Sequence, residues 1–225
     1  MKNKIKACIF DLDGTLLDTP SGVAHHINAV FSEENIPAVT KDEARAFMGN
    51  GARNLILTAL ASRGITDVAL CERVYEKYIK HYDAAPDVCV EVYEGVTEMI
   101  FELRKMGIAL AVLSNKPHYA TSMLIEKYFP NSFDVVLGGC DGIPLKPAPD
   151  GVRRILSTLG VDASECAYVG DSEPDVYTAR YAELGFPIFV LWGLRTREQL
   201  ELVGAKTLAS SPEEITEIIK TENGV

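Results

Sequence analysis

Short unbroken apolar runs alternate along this chain with longer stretches in which apolar residues recur every three or four positions. The runs are Ile5–Phe10, Ile108–Ser114, Val135–Gly138, Cys166–Gly170 and Ile188–Trp192. Apolar residues on consecutive positions fit strands buried on both faces. Segments 95–106, 118–128, 149–159 and 174–184 carry the helical spacing, with Pro117 and Pro149 near first turns and Ser172 ahead of Pro174 as start signals. Strand alternating with helix predicts an α/β fold, a Rossmann-like parallel sheet with helices on both faces. Sites in such sheets lie at the carboxyl ends of the strands.

One region breaks the alternation. Between Asp18 and Asp87 the pattern is helical throughout, over 20–34, 41–47, 51–63 and 67–82, and Ala84-Ala85-Pro86 closes it. This predicts an all-helical domain at 18–87, inserted after the first strand into an α/β core formed by 1–17 and 88–225. Tyr75, Tyr78, Tyr82, Phe31 and Phe101 read as core packing. Ser211-Pro212-Glu213-Glu214 carries helix-start chemistry, and the residues from Glu222 onward are expected to fray.

Charge narrows the partners. The 225 residues hold 22 Lys and Arg against 32 Asp and Glu, a formal charge of −10. Nucleic acid and anionic lipid both demand a basic footprint, so neither is expected. A small phosphorylated ligand is not excluded, because a few local cations, helix N-termini or a metal suffice to hold one. Five widely spaced cysteines without a CxxC argue against a disulfide framework and a structural zinc. The first apolar run stops at Phe10, too short for a signal-peptide core, and no stretch approaches a membrane span of ~20 residues. The expectation is a cytoplasmic monomer or homodimer. His25, His26 and His81 show no ligand spacing and read as surface or interdomain residues; His118 is a candidate for the site mouth.

The chemistry collects at the predicted strand ends. Asp11-Leu-Asp13-Gly14-Thr15-Leu follows the first run, and residues two apart in extended backbone share a side. Two carboxylates facing one point repel unless a cation sits between them, and Mg²⁺ suits such a set. The bland alternative is a pair of loop acids bonded to local amides. Ser114-Asn115 closes the second run ahead of a helix start, where hydroxyl and amide donors make an anion cradle or merely a cap. Lys146 stands in the stiff Leu-Lys-Pro-Ala-Pro loop, and Gly170-Asp171-Ser-Glu-Pro-Asp175 follows the fourth run. Together these supply a carboxylate nucleophile toward phosphorus, a second carboxylate as acid and base, and cations for the phosphoryl charge. GxSxG, HExxH, Walker and GxGxxG motifs are absent from the sequence.

These four motifs, in this order at strand ends, resemble those of the haloacid dehalogenase-like hydrolases over essentially the whole chain. The resemblance implies Asp11 as nucleophile, Asp13 as general acid and base, and Ser114 with Asn115, beside Thr15, binding the phosphoryl group. Lys146 would pair with nucleophile and phosphate. Mg²⁺ would be held by Asp11, the Asp13 carbonyl and Asp171, with Asp175 acting through water. The helical insert resembles the family's cap. Phe47-Met-Gly49-Asn50-Gly-Ala, Ser114-Asn-Lys-Pro and Leu191-Trp-Gly-Leu-Arg195 resemble phosphoglycolate phosphatases, which makes Gly49 and Asn50 substrate-binding candidates. Glu183 departs from the small residue expected there. Arg53, just past the cap-loop glycines, is read either as a fork for a substrate carboxylate or as a solvated helix arginine.

The resulting expectation is a Mg²⁺-dependent phosphatase of a small phosphorylated metabolite, phosphoglycolate first, working through an aspartyl-phosphate. A phosphosugar mutase or pyrophosphatase on the same scaffold is the enzymatic alternative, with His25 and His26 as the mutase's cap groups. A receiver-like phospho-acceptor is the non-enzymatic one.

Overall fold

A computed structural model describes residues 4–224; the basic start at Met1–Asn3 and the terminal Val225 lie outside the described residues. The elements run β1 Ala7–Phe10, β2 Leu17–Asp18, α1 Pro20–Glu33, α2 Lys41–Phe47, α3 Gly51–Ala61, α4 Val68–Ala84, β3 Glu91–Val92 and α5 Val96–Lys105. They continue with β4 Ala109–Pro117, α6 His118–Tyr128, β5 Val135–Gly139, α7 Asp150–Leu159, β6 Cys166–Gly170 and α8 Glu173–Tyr181. Last come β7 Phe186–Val190, α9 Arg197–Leu202, β8 Leu208–Ala209 and α10 Pro212–Asn223. The main sheet is six-stranded in the order β5-β4-β1-β6-β7-β8, and every pair in it is parallel.

The predicted α/β sheet is therefore present, with β1 at its centre between β4 and β6. Its residues alternate between two cores: Cys8 and Phe10 pack with α5 and α10, whereas Ala7 and Ile9 pack with α7 and α8. Both faces are covered, so the run has no polar side, and each large side chain fully buried here stabilises by about 1.5–3 kcal/mol.

The region between β2 and β3 is helical, as the sequence pattern implies, and α1–α4 surround an apolar cluster of their own. What the periodicity did not reveal is the antiparallel ribbon of β2 and β3 at its base, Leu17 opposite Val92 and Asp18 opposite Glu91. Two-residue strands have no readable period. The last strand of the apolar pattern sits two residues early: Val190 pairs with Ala209, and Trp192 leaves the sheet to donate from Nε1 to the Thr15 carbonyl at 3.1 Å.

Three local expectations are corrected. The C-terminal turn is held rather than frayed, because Asn223 accepts from the Ile5 amide at 2.7 Å and donates to its carbonyl at 3.1 Å. Phe101 is 62% exposed, under the Lys105 ammonium rather than in a core. Glu183 has a φ of +54°, so its small-residue position is a left-handed turn after α8 rather than a packing contact.

Candidate active site

β1 delivers Asp11 to the middle of the sheet's carboxyl edge, where its amide still donates to Val169 at 2.8 Å. The chain then turns on Leu12, whose carbonyl accepts from the amides of Thr15, Leu16 and Leu17. Gly14, at φ +82°, permits this: a Cβ there would lie 2.1 Å from Asp171 Oδ2. Asp11 Oδ1 accepts from the Leu12 amide and the Lys146 ammonium, both at 2.7 Å. Asp13 Oδ1 accepts from Thr19 Oγ1 at 2.6 Å and pairs with Lys116 Nζ at 3.0 Å. Among the described residues no donor reaches the second oxygen of either carboxylate, and both residues line one cavity.

The neighbouring strand ends complete the floor of that cavity. Lys146 is buried between Asp11 and Asp175, with Nζ 2.7 Å from each. Burial lowers its proton affinity, but the two carboxylates outweigh that and hold it charged. Asp175 stands in the first turn of α8. Its Oδ2 accepts from Ser172 N, Ser172 Oγ and Asp171 N, and its Oδ1 from Lys146 and Tyr168 Oη. Burial would raise this carboxyl, yet Lys146 and the hydroxyl donors bring it below the usual range.

Asp171 is treated differently. It receives the Leu194 amide on Oδ2 at 2.5 Å and a long 3.4 Å contact from Thr15 Oγ1. Burial first, then the charges of Asp175 and Asp11, push it well above the carboxylate range. The same two causes, burial and Asp175, lift Asp11 to about 7 against the pull of Lys146. One carboxylate oxygen from each of Asp11, Asp171 and Asp175 lies within 4.8 Å of the others. Buried acids that resist ionising beside one another are a fit for a hard divalent cation. Asp11 and Asp171 have the free capacity to ligate it; Asp175, with both oxygens occupied by protein donors, does not.

An open cavity lies between this floor and a roof from the helical insert, made of Val23, Met48, Ala52, Leu55, Tyr78, Ile79 and Tyr82. Lys116 joins the two. Its side chain is buried and bound to Asp13, and its ammonium lies 5.0 Å from the Tyr82 ring centroid. Burial lowers its proton affinity, but Asp13 and Tyr82 raise it further, so it is a fixed cation.

The remaining candidates divide. Ser114 lines the cavity and accepts the Lys116 amide. Asn115 also lines it, but its amide donates to the Gly49 and Lys146 carbonyls, both at 3.0 Å, and accepts Lys146 N at 2.7 Å. Its side chain thus braces the lysine loop against the insert. Thr15 stands behind the acids, and Asn50 is the exposed residue that precedes α3, outside the cavity lining that Gly49 joins. Arg53 points away from the cavity, bonded to Glu72 and stacked on Tyr75. His118 accepts the Gly138 amide and does not line the cavity. His25, His26 and His81, unrelated by spacing, meet in space: the Nδ1 atoms of His26 and His81 are 2.8 Å apart. Sequence reasoning missed Lys116, although it directly follows the Ser114-Asn115 pair, and gave Tyr78 and Tyr82 only a packing role.

Residues 8–188 match the haloacid dehalogenase-like hydrolases. A phosphoglycolate phosphatase of Xanthomonas campestris pv. campestris is 32% identical over 84% of this chain and 85% of its own. One from Rhodospirillum rubrum is 32% identical over 89% and 85%. The crystal structure of a candidate phosphoglycolate phosphatase from Lactobacillus delbrueckii subsp. bulgaricus superposes with a TM-score of 0.92 at 33% identity, over 96% of this chain and 98% of that one. With four acids and a buried lysine gathered at the carboxyl edge of its parallel sheet, the chain belongs to the haloacid dehalogenase-like hydrolase family.

Proposed function

We propose that this protein is a Mg²⁺-dependent phosphatase that hydrolyses a small phosphorylated metabolite through an aspartyl-phosphate. The observation that carries the reading is the pairing of Asp11 and Asp13 on one cavity, each fixed through Oδ1 and each with Oδ2 unoccupied. Asp11 Oδ2 attacks phosphorus as the bond to the leaving oxygen breaks, and Asp13 gives that oxygen its proton. Asp13 then takes a proton from water, whose oxygen attacks phosphorus and frees Asp11 with release of phosphate. Lys146 holds the nucleophile and stands beside the phosphoryl oxygens; the Ser114 hydroxyl contributes a donor. Mg²⁺ on Asp11 and Asp171, with the Asp13 carbonyl, would neutralise developing phosphoryl charge.

The helical insert acts as a cap that closes the leaving-group side, and the protein works in the cytoplasm. No described helix is long and apolar enough to cross a membrane. Phosphoglycolate is the substrate we propose first, because curated relatives above 30% identity carry that activity. Its carboxylate would have to use Lys116, since Arg53 is turned away. Among the described residues the roof lining holds no acid or histidine, which disfavours a mutase. The test is phosphate release from phosphoglycolate, sugar phosphates, nucleotides and pyrophosphate, with Mg²⁺ or EDTA. Mg²⁺-dependent release that disappears in Asp11→Asn is expected, and full activity in that variant would sink the mechanism.

A further inference from the structure

The loop after β7 belongs to the core, yet it touches both the acid cluster and the helical insert. Gly193 is pressed onto the acids: a Cβ there would lie 2.3 Å from Asp171 Oδ2 and 2.5 Å from the Gly14 carbonyl. The next amide, Leu194 N, donates to Asp171 Oδ2 at 2.5 Å, while the Leu194 side chain packs into the insert's apolar cluster. The following side chain, Arg195, is 9% exposed and spans the gap between core and insert. Its Nε binds both carboxylate oxygens of Glu173, at 2.9 and 2.8 Å, in the first turn of α8. Its Nη1 donates to the Arg45 carbonyl at 3.2 Å and its Nη2 to the Met48 carbonyl at 2.9 Å.

Those two carbonyls lie at the C-terminal end of α2, where the negative end of the helix dipole calls for a cation, and the Arg45 carbonyl also accepts the Met48 amide at 3.4 Å. Met48 and Gly49 also line the reaction cavity. A guanidinium is suited to this post, because its planar fork serves a carboxylate and two carbonyls at once. A lysine has one ammonium and cannot span the same three partners in a fixed plane. Asn115 holds the adjoining Gly49 carbonyl from the other side of the cavity.

We propose that Arg195 is a positioning residue that docks the 45–49 segment of the insert over the reaction centre, and that the Leu194-Arg195 dipeptide couples this docking to Asp171. A cation that orders Asp171 orders the Leu194 amide, and with it the guanidinium that clasps the insert. By linkage, closure of the clasp strengthens cation binding by the factor by which the cation favours closure, so a variant that opens the clasp weakens cation binding.

Backbone hydrogen exchange of residues 45–52 tests this without any substrate, in the full chain with and without Mg²⁺. Wild type is expected to gain protection there on Mg²⁺ addition. In Arg195→Met that Mg²⁺-dependent gain disappears and exchange at 45–52 rises on the order of 10-fold, while strand 109–113 keeps its protection. Arg195→Lys is expected to fall between the two, and Glu173→Gln, which leaves Arg195 in place without its anchor, reproduces the loss in weaker form. A kinetic arm rests on the phosphatase reading: the Arg195 variants raise KM by more than they lower kcat, which a mere loss of folded enzyme would not do. Equal Mg²⁺-dependent protection in wild type and Arg195→Met would overturn the proposal. So would a uniform rise in exchange across insert and sheet. Absence of phosphatase activity in every protein would instead count against the proposed function and leave the exchange result standing.

Discussion

The floor and the roof of the cavity that Asp11 and Asp13 line are built on opposite principles. The floor is ionic and immobile: Lys146 is clamped between two carboxylates, and Asp175 spends both oxygens on five protein donors. The roof is apolar and aromatic, and its links to the core include a few hydrogen bonds from Arg195 and Asn115 to backbone carbonyls. Chemistry at phosphorus needs charges that do not reorganise. Admission of substrate needs a surface that can separate, and contacts made across the gap can open onto water while the ionic floor stays in place. Under the proposed function, the floor sets the reaction and the roof sets what enters.

The sharpest way to break this comparison is Asp11→Asn. It leaves the Asp175 partner of Lys146 in place and removes the nucleophile, so kcat should fall on the order of 10⁴-fold or more. Folding should be undisturbed, because a neutral amide escapes the burial cost and the Asp175 repulsion that lift Asp11 to about 7. Steady-state kinetics with a thermal melt on the same preparation checks both halves. A melt that collapses along with activity would mean that Asp11 is a structural acid.

Lys146→Met probes the rigidity of the floor. Removing the one cation between Asp11 and Asp175 leaves buried carboxylates uncompensated, a loss on the order of 3–5 kcal/mol. Denaturant unfolding without Mg²⁺ measures it, and Mg²⁺ should restore a share. A loss under 1 kcal/mol would show that the floor tolerates its own charges.

How far these roles were readable follows the same divide. Most of the floor is marked by apolar runs: Asp11 and Asp171 directly follow β1 and β6, and Ser114 closes the apolar part of β4, whereas Lys146 stands in the proline-stiffened loop after β5. The roof had no such marker. Tyr78 and Tyr82 line a cavity only because α4 lies beside α1 and α3, and helical spacing cannot say whether an apolar face meets a neighbour or an opening. Arg53 had the right chemistry beside the right loop, but Glu72, nineteen residues on, takes its guanidinium. Lys116 is held at the cavity by Asp13 and Tyr82, contacts between segments far apart in sequence.

The roof should also be the more acid-sensitive half. His26 is buried in the insert, its Nε2 without a partner among the described residues, and its ring faces His81, His25 and Tyr82. Burial, then the His81 and His25 charges, lower its proton affinity to about 4 from 6.5. The unfolded chain therefore takes up this proton first. The stability that His26 contributes is complete above pH 6.5 and is lost as pH falls toward 4, by roughly 3 kcal/mol. His26→Leu should flatten the melting curve over that window. Parallel pH profiles for the two proteins would show that the histidine cluster takes up no proton on unfolding.

The smallest expected effect bears most directly on substrate. Lys116 is the cation that the cavity offers beyond Lys146, and Asp13 already holds it at 3.0 Å. If the leaving group carries a carboxylate, it must share that ammonium or be buried unpaired against Met48 and Leu55, which is costly. Lys116→Met should then raise KM for phosphoglycolate about 10-fold, near 1.4 kcal/mol, while ethyl phosphate, of similar size without the charge, is unaffected. Thr19 still holds Asp13 in the variant, so kcat should move less than KM. If both substrates instead lose kcat equally, Lys116 serves the acid and base rather than the substrate. The roof would then be selecting for uncharged, carbon-rich leaving groups, the class its own lining resembles.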